Sequence, residues 1–185
     1  AGIAITKLLR AMGATQIDLL DSKGIVAIGR GDMNREKDAL AVHINPSAKT
    51  GTLADAMRGA DVFIGVSRPN LVSRDMVRSM NDRPIVFALA NPDPEILPDD
   101  ALAAGAAVVA TGRSDYPNQV NNVLVYPGLF RGLLNRRAST LTDDMKIAAV
   151  VALAGMVPSP TAECILPSIL DTNPAPPIAA AIATA

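Results

Sequence analysis

The sequence predicts an α/β domain built on a parallel sheet with helices packed on both faces. Three observations carry this reading. Short apolar runs at residues 62–66, 84–89 and 107–110 are bounded by turn residues, as buried strands are. Helical patterns at 73–80 and 99–104 lie between those runs, supplying the crossovers that parallel strands require. The chain is 49% apolar but only 3% aromatic and has no Trp, so its core must come from Ala, Val, Ile, Leu and Met. At 185 residues it has the size of one domain, able to bury roughly two-thirds of its extended-chain surface.

The elements follow in order. Residues 1–12 place Ile3, Ile5, Leu8, Leu9 and Met12 on one helical face, and Gly13 stops the helix. Residues 16–20 form a short strand ending in Asp21; Ser22, Lys23 and Gly24 turn the chain toward a second short strand at 24–28. Residues 33–44 are helical until Asn45-Pro46. Thr52 caps the next helix and Gly59 lies near its end. Ser73 caps the helix at 73–80, with Asp75 in its favourable first turn. Beyond the last strand, residues 127–135 and 143–156 are helical, and a Pro-rich stretch leads to an Ala-rich helix at 178–185.

Composition narrows the partners. A net charge of −1 without a basic stripe gives nothing to attract phosphate backbones, so no nucleic-acid partner is expected. A single cysteine, Cys164, precludes an internal disulfide, argues against a zinc site, and reads as a small apolar residue in a reducing compartment. The longest apolar stretch, 147–157, falls short of the roughly 20 residues that span a bilayer, and no charged-then-apolar leader opens the chain. A cytoplasmic location without membrane contact is expected.

Ligands of open α/β sheets bind outside the carboxyl ends of the strands, and the polar clusters of this sequence fall there. Asp21 follows Gly2 by 19 positions, near the spacing from a glycine-rich turn to the carboxylate that accepts ribose hydroxyls. It equally suits a solvated strand end that starts a turn. As a ribose ligand it opposes a 2′-phosphate and favours NAD, while Lys23 and Arg30 nearby act in the other direction. Gly65 fits close approach of backbone to ligand, or simply the easing of a strand into a loop. Asn91 before Pro92 is a turn former as well as a ligand group. Asn121 and Asn122 neither titrate nor attack, but neighbouring carboxamides can orient a small polar ligand. Arg113 and Asp115 suit a surface ion pair, His43 a structural or solvated role, and the doublets Asp99-Asp100 and Asp143-Asp144 helix starts rather than a metal site.

Three strings, GTLADAMRGADVFIGVS (51–67), PIVFALANPDPEI (84–96) and AAVVATGRSDYPNQVNNVLVYPGLFRG (106–132), resemble the nicotinamide-binding domain of bacterial malic enzyme. The tail from Ile165 onward is similar to the end of the shorter bacterial form. The resemblance covers essentially the whole chain. It implies a Rossmann-like, doubly wound fold whose first strand and first two fingerprint glycines lie outside this sequence, with Gly2 as the third glycine. It implies a core over 1–135, a C-terminal helical segment over 136–185, and a catalytic domain upstream in a longer protein.

By the same resemblance, Gly2, Asp21, Ser22, Lys23, Gly65, Val66, Ser67, Asn91 and Asn121 contact NAD or NADP. Asn91 and Asn122 meet the substrate, L-malate or pyruvate. The implied activity is oxidative decarboxylation of L-malate to pyruvate and carbon dioxide with Mg²⁺ or Mn²⁺. The family's Tyr–Lys acid–base pair and metal ligands have no counterpart in this sequence; Tyr116 and Tyr126 do not match the catalytic tyrosine. The 185-residue chain alone is therefore expected to be inactive, and the intact protein to be a homo-oligomer. The competing readings are a dinucleotide-sensing module without chemistry, and another dehydrogenase using a similar domain. The PNQVNN string disfavours the latter.

Overall fold

A computed structural model of the protein describes every residue except Ile169 and Asp171. Helix α1 (Gly2–Ala11) leads to a hairpin of two short antiparallel strands, β1 (Leu20–Asp21) and β2 (Gly24–Ile25). The expected strand at 16–20 contracts to this ladder. Val26 N–H donates to Leu19 O at 2.8 Å and extends it by one bond, whereas residues 16–18 lie outside any strand. Helix α2 (Arg35–Ile44) starts two residues later than the pattern suggested, because the Asn34 side chain caps it by accepting from Lys37 N–H at 2.9 Å. His43 is exposed in its last turn.

Helix α3 (Leu53–Met57) opens on a reciprocal capping box. Thr52 Oγ1 accepts from Asp55 N–H at 3.3 Å and Asp55 Oδ2 accepts from Thr52 N–H at 2.9 Å. Three strands then alternate with two short helices: β3 (Val62–Gly65), α4 (Arg74–Arg78, capped by Ser73), β4 (Ile85–Ala88), α5 (Pro98–Ala103) and β5 (Val108–Thr111). The sheet is parallel, in the order β3-β4-β5, like one half of a doubly wound sheet. Its register runs from Val62–Ile85–Val108 to Gly65–Ala88–Thr111. That last rung sets the site: three loops leave the same edge side by side.

The C-terminal part is helical. A 3₁₀ turn (Asn122–Leu124) leads into α6 (Tyr126–Arg136), followed by α7 (Asp143–Ala154, capped by Thr142) and α8 (Ala175–Thr184). Aliphatic side chains fill two clusters, as the scarcity of aromatics requires. One packs Met57, Val77, Met80, Val86, Ile96 and Val109 around the sheet. The other joins Leu129 of α6, Met145 and Ala149 of α7, and Ile178 and Ile182 of α8. The acidic doublets stand in the first turns of α5 and α7, where helix dipoles favour them. Asp143 pairs there with Lys146 at 2.7 Å. Cys164 is exposed, not packed as a small apolar residue; it sits in a tight turn closed by mutual Thr161–Cys164 backbone bonds of 3.1 Å. No helix among the described residues is long and apolar enough to cross a membrane.

Candidate functional site

A cleft of about 370 Å³ opens at the carboxyl edge of the sheet, between the Ala90–Asp93 loop after β4 and the Gly112–Asp115 loop after β5. Asn91 lines it and is exposed, joined to Pro92 by a cis peptide. Arg113 reaches across the cleft. It pairs with Asp115 at 2.6 Å, lies 3.8 Å from Asp93, and stacks 5.5 Å over the Tyr116 ring. Asp115 holds its guanidinium pKa above the usual value, so its charge is fixed. Gln119 closes the floor through an isolated parallel bridge to Thr111, reinforced by Val120 N–H donating to Thr111 O at 2.8 Å.

The asparagine pair divides its work. Asn121 Oδ1 accepts from Val123 N–H at 3.1 Å and caps the 3₁₀ turn. Asn122, the first residue of that turn, is exposed and open to a ligand. Neither lines the cleft itself. Asn118, three residues earlier, is a structural brace that the sequence reading passed over. It is 7% exposed with φ +56°; Nδ2 donates to Val109 O at 3.0 Å and Ala162 O at 2.8 Å, and Oδ1 accepts from Ile165 N–H at 2.9 Å.

Gly65 ends β3, with Val66 half-buried and Ser67 exposed beyond it. The space before Gly65 is filled by Glu95: an added Cβ would lie 2.6 and 2.7 Å from its carboxylate oxygens. Gly2 stands at the start of α1, where a Cβ would sit 3.5 Å from Leu19 Cδ1 and 3.9 Å from Val66 Cγ2. Those are ordinary contacts, so packing alone does not require glycine at position 2. They do place the start of α1, the chain entering the hairpin and the loop after β3 together.

Asp21 belongs to the antiparallel hairpin, not to the parallel sheet, a correction to its expected place at the end of a sheet strand. Its side chain, 17% exposed, accepts from Arg30 and from Lys37 (2.5 Å), and Oδ1 takes Lys23 N–H at 2.9 Å. Arg30 is engaged on every side, with Asp32 at 2.8 Å, Ile25 O at 3.2 Å and Gly24 O at 3.3 Å. Lys23 Nζ pairs with Asp32 at 2.8 Å, and Ser22 is exposed in the turn. The corner thus presents neither a bare carboxylate nor a free guanidinium.

Burial raises the Asp21 carboxyl pKa, but the Arg30, Lys37 and Lys23 hydrogen bonds outweigh it and hold the group well below the usual carboxylate range. A pKa lower in the folded than in the unfolded state stabilises the fold above the unfolded value, about 3.9, and that stabilisation fades as pH falls below it. Asp21→Asn should therefore lower the urea midpoint at pH 7. Its deficit against the wild type should shrink between about pH 4 and pH 2.5. Equal midpoints at pH 7 would contradict the ion-pair network.

The sequence model described as "Malic enzyme, NAD binding domain" matches residues 6–185. The chain belongs to that family. It is 50% identical over 188 residues to the bifunctional malic/malolactic enzyme of Bacillus subtilis, covering 100% of this chain and 46% of that protein. It is 56% identical over 160 residues to an NADP-dependent malic enzyme of Rhizobium meliloti, covering 84% of this chain and 20% of that one. The crystal structure of an NAD-dependent malic enzyme from Thermotoga maritima superposes with a TM-score of 0.93 at 40% identity, covering 99% of this chain and 48% of that one. The fold is accordingly Rossmann-like. The chain spans less than half the length of these relatives.

Proposed function

We propose that this domain is the cofactor-binding part of a malic enzyme, serving oxidative decarboxylation of L-malate to pyruvate and carbon dioxide. The observation that carries the reading is the last rung of the sheet, Gly65–Ala88–Thr111, in a chain of this family. It delivers the loops bearing Ser67, Asn91 and Arg113 to one edge, the place where such sheets hold dinucleotides.

The residues present fit NAD or NADP. Gly2, Gly65, Val66 and Ser67 would line the dinucleotide; Asp21, Ser22 and Lys23 would meet its adenosine end; Asn91 and Asn121 would meet the nicotinamide end. When bound, the nicotinamide supplies the hydride acceptor. Asn91 and Asn122, both exposed, would orient malate through donor and acceptor atoms that carry no charge of their own.

A divalent metal does not fit here. Among the described residues no three His, Cys, Asp or Glu side chains converge as metal ligands. We assign Mg²⁺ or Mn²⁺ binding and the acid–base pair to a catalytic domain preceding this one in a longer, homo-oligomeric, cytoplasmic protein. Residues 1–135 serve as the dinucleotide core and 136–185 as a helical extension.

A malate-driven assay at 340 nm on that longer protein, with Mn²⁺ and either NAD or NADP, tests the reading. Turnover should require malate and metal, and Asn122→Ala should lower kcat/KM by about 10²-fold, the scale of one lost polar contact at a substrate. The 185-residue chain alone should give no turnover. NADH binding without malate turnover by the longer protein would instead leave a dinucleotide-sensing module.

A further inference from the structure

Glu95 is the deepest charged group in the molecule among the described residues, 1% exposed. A buried carboxylate carries a desolvation cost that a well-packed apolar side chain avoids, so its retention needs a reason. Its partners are two backbone amides, not a cation: Oε1 accepts from Ser67 N–H at 2.9 Å, and Oε2 from Ala90 N–H at 3.0 Å. One amide lies two residues beyond the end of β3, the other two residues beyond the end of β4. The carboxylate therefore spans the gap between adjacent site loops, one oxygen to each.

The surroundings are shaped to admit it. A side chain at Gly65 would collide with both carboxylate oxygens, so the glycine there makes room for Glu95. The glutamate's own backbone is pinned, with Val72 N–H donating to Glu95 O at 3.0 Å and Asn70 N–H to Pro94 O at 3.2 Å. Ala90 immediately precedes Asn91, so a fixed Ala90 amide fixes where the Asn91 carboxamide begins. Charge-assisted bonds to amides are shorter and stronger than neutral ones, which suits a rigid strut between two loops.

We propose that Glu95 is a positioning residue: its buried carboxylate clamps the loops after β3 and β4 at the separation at which Ser67 and Asn91 meet the cofactor. This rests on the dinucleotide-binding reading above. Glu95→Gln keeps the shape but sets an NH₂ group against one amide; Glu95→Met removes both acceptors at similar volume.

The test uses the longer protein, with three readouts: urea stability, amide exchange at Ser67 and Ala90, and NADH affinity by fluorescence. Both variants should remain folded, exchange at least one of the two amides about 10²-fold faster, and bind NADH at least tenfold more weakly. A merely structural glutamate would lower stability and leave the affinity of the folded protein unchanged, and that result overturns the proposal. Unchanged exchange at both amides overturns it as well, and so does failure of both variants to fold, which would make Glu95 a determinant of the fold. Absence of NADH binding by the wild type would sink the reading on which the proposal rests, a failure distinct from equal binding by wild type and variants.

Discussion

Gly132→Ala and Gly128→Ala should each destabilise the protein by about 2–3 kcal/mol, lowering its melting temperature on the order of 4–12 °C. In an exposed helix the same substitution stabilises by about 1 kcal/mol, so the expected sign is itself diagnostic. The cause is the close approach of α6 to α8. A Cβ at position 128 would lie 2.7 Å from Ile178 Cβ and 2.8 Å from Ala175 O. At position 132 it would lie 2.7 Å from Ile182 Cβ and 3.0 Å from Ala179 O. These atoms are backbone or adjoin it, and cannot swing aside as a side-chain tip can. Ile178 and Ile182 are both fully buried, so moving α8 away opens the second apolar cluster. Urea titration checks this, and a neutral or stabilising alanine at either site would show that the helices do not touch there.

Asn118→Ala should cost about 2–4 kcal/mol, because three hydrogen bonds vanish and leave Val109 O, Ala162 O and Ile165 N–H without a side-chain partner. The backbone adds to the loss. At φ +56° asparagine is tolerated, whereas alanine costs a further ~1 kcal/mol. Asn118→Gly separates the two contributions, since glycine loses the bonds but not the conformation. The local consequence is release of the Thr161–Cys164 turn from β5, read as faster proteolysis around residues 160–168. A variant as stable and as resistant as the wild type would contradict the brace.

Much of the fold was legible because its signals are local. Thr52 and Ser73 announce α3 and α4 through cap chemistry that needs no tertiary partner. The apolar runs at 62–66, 84–89 and 107–110 read as strands because they are short, continuous and bounded by turn residues, although Val62 at the start of β3 is exposed. Where a signal depends on a distant partner, reading fails. Residues 16–20 have strand character, but a ladder needs a neighbour, and only the hairpin supplies one.

The same division holds at the site. Asn91 stands just past the end of β4, where the sequence marks a turn, whereas the asparagine pair begins the 3₁₀ turn ten residues after β5 and lies outside the cleft. The brace residues do not stand out. Glu95, in a Pro-rich loop, has no local signal, because its partners, the Ser67 and Ala90 amides, come together only in the fold. Asn118 has no local signal: residues 162–165 return across 44 to 47 positions to meet it. Gly65 suggested close approach of a ligand or the easing of a strand into a loop; in the structure the Glu95 carboxylate occupies the space a side chain would need.

Hydrogen–deuterium exchange of the longer protein, with and without saturating NADH, tests the central claim most directly. The account predicts protection at the carboxyl edge of the sheet, residues 65–67, 90–92 and 111–122, and at the start of α1 and the 21–23 turn, with α7 and α8 unchanged. Protection confined to the helical cluster, or none at all, would contradict a dinucleotide site at that edge.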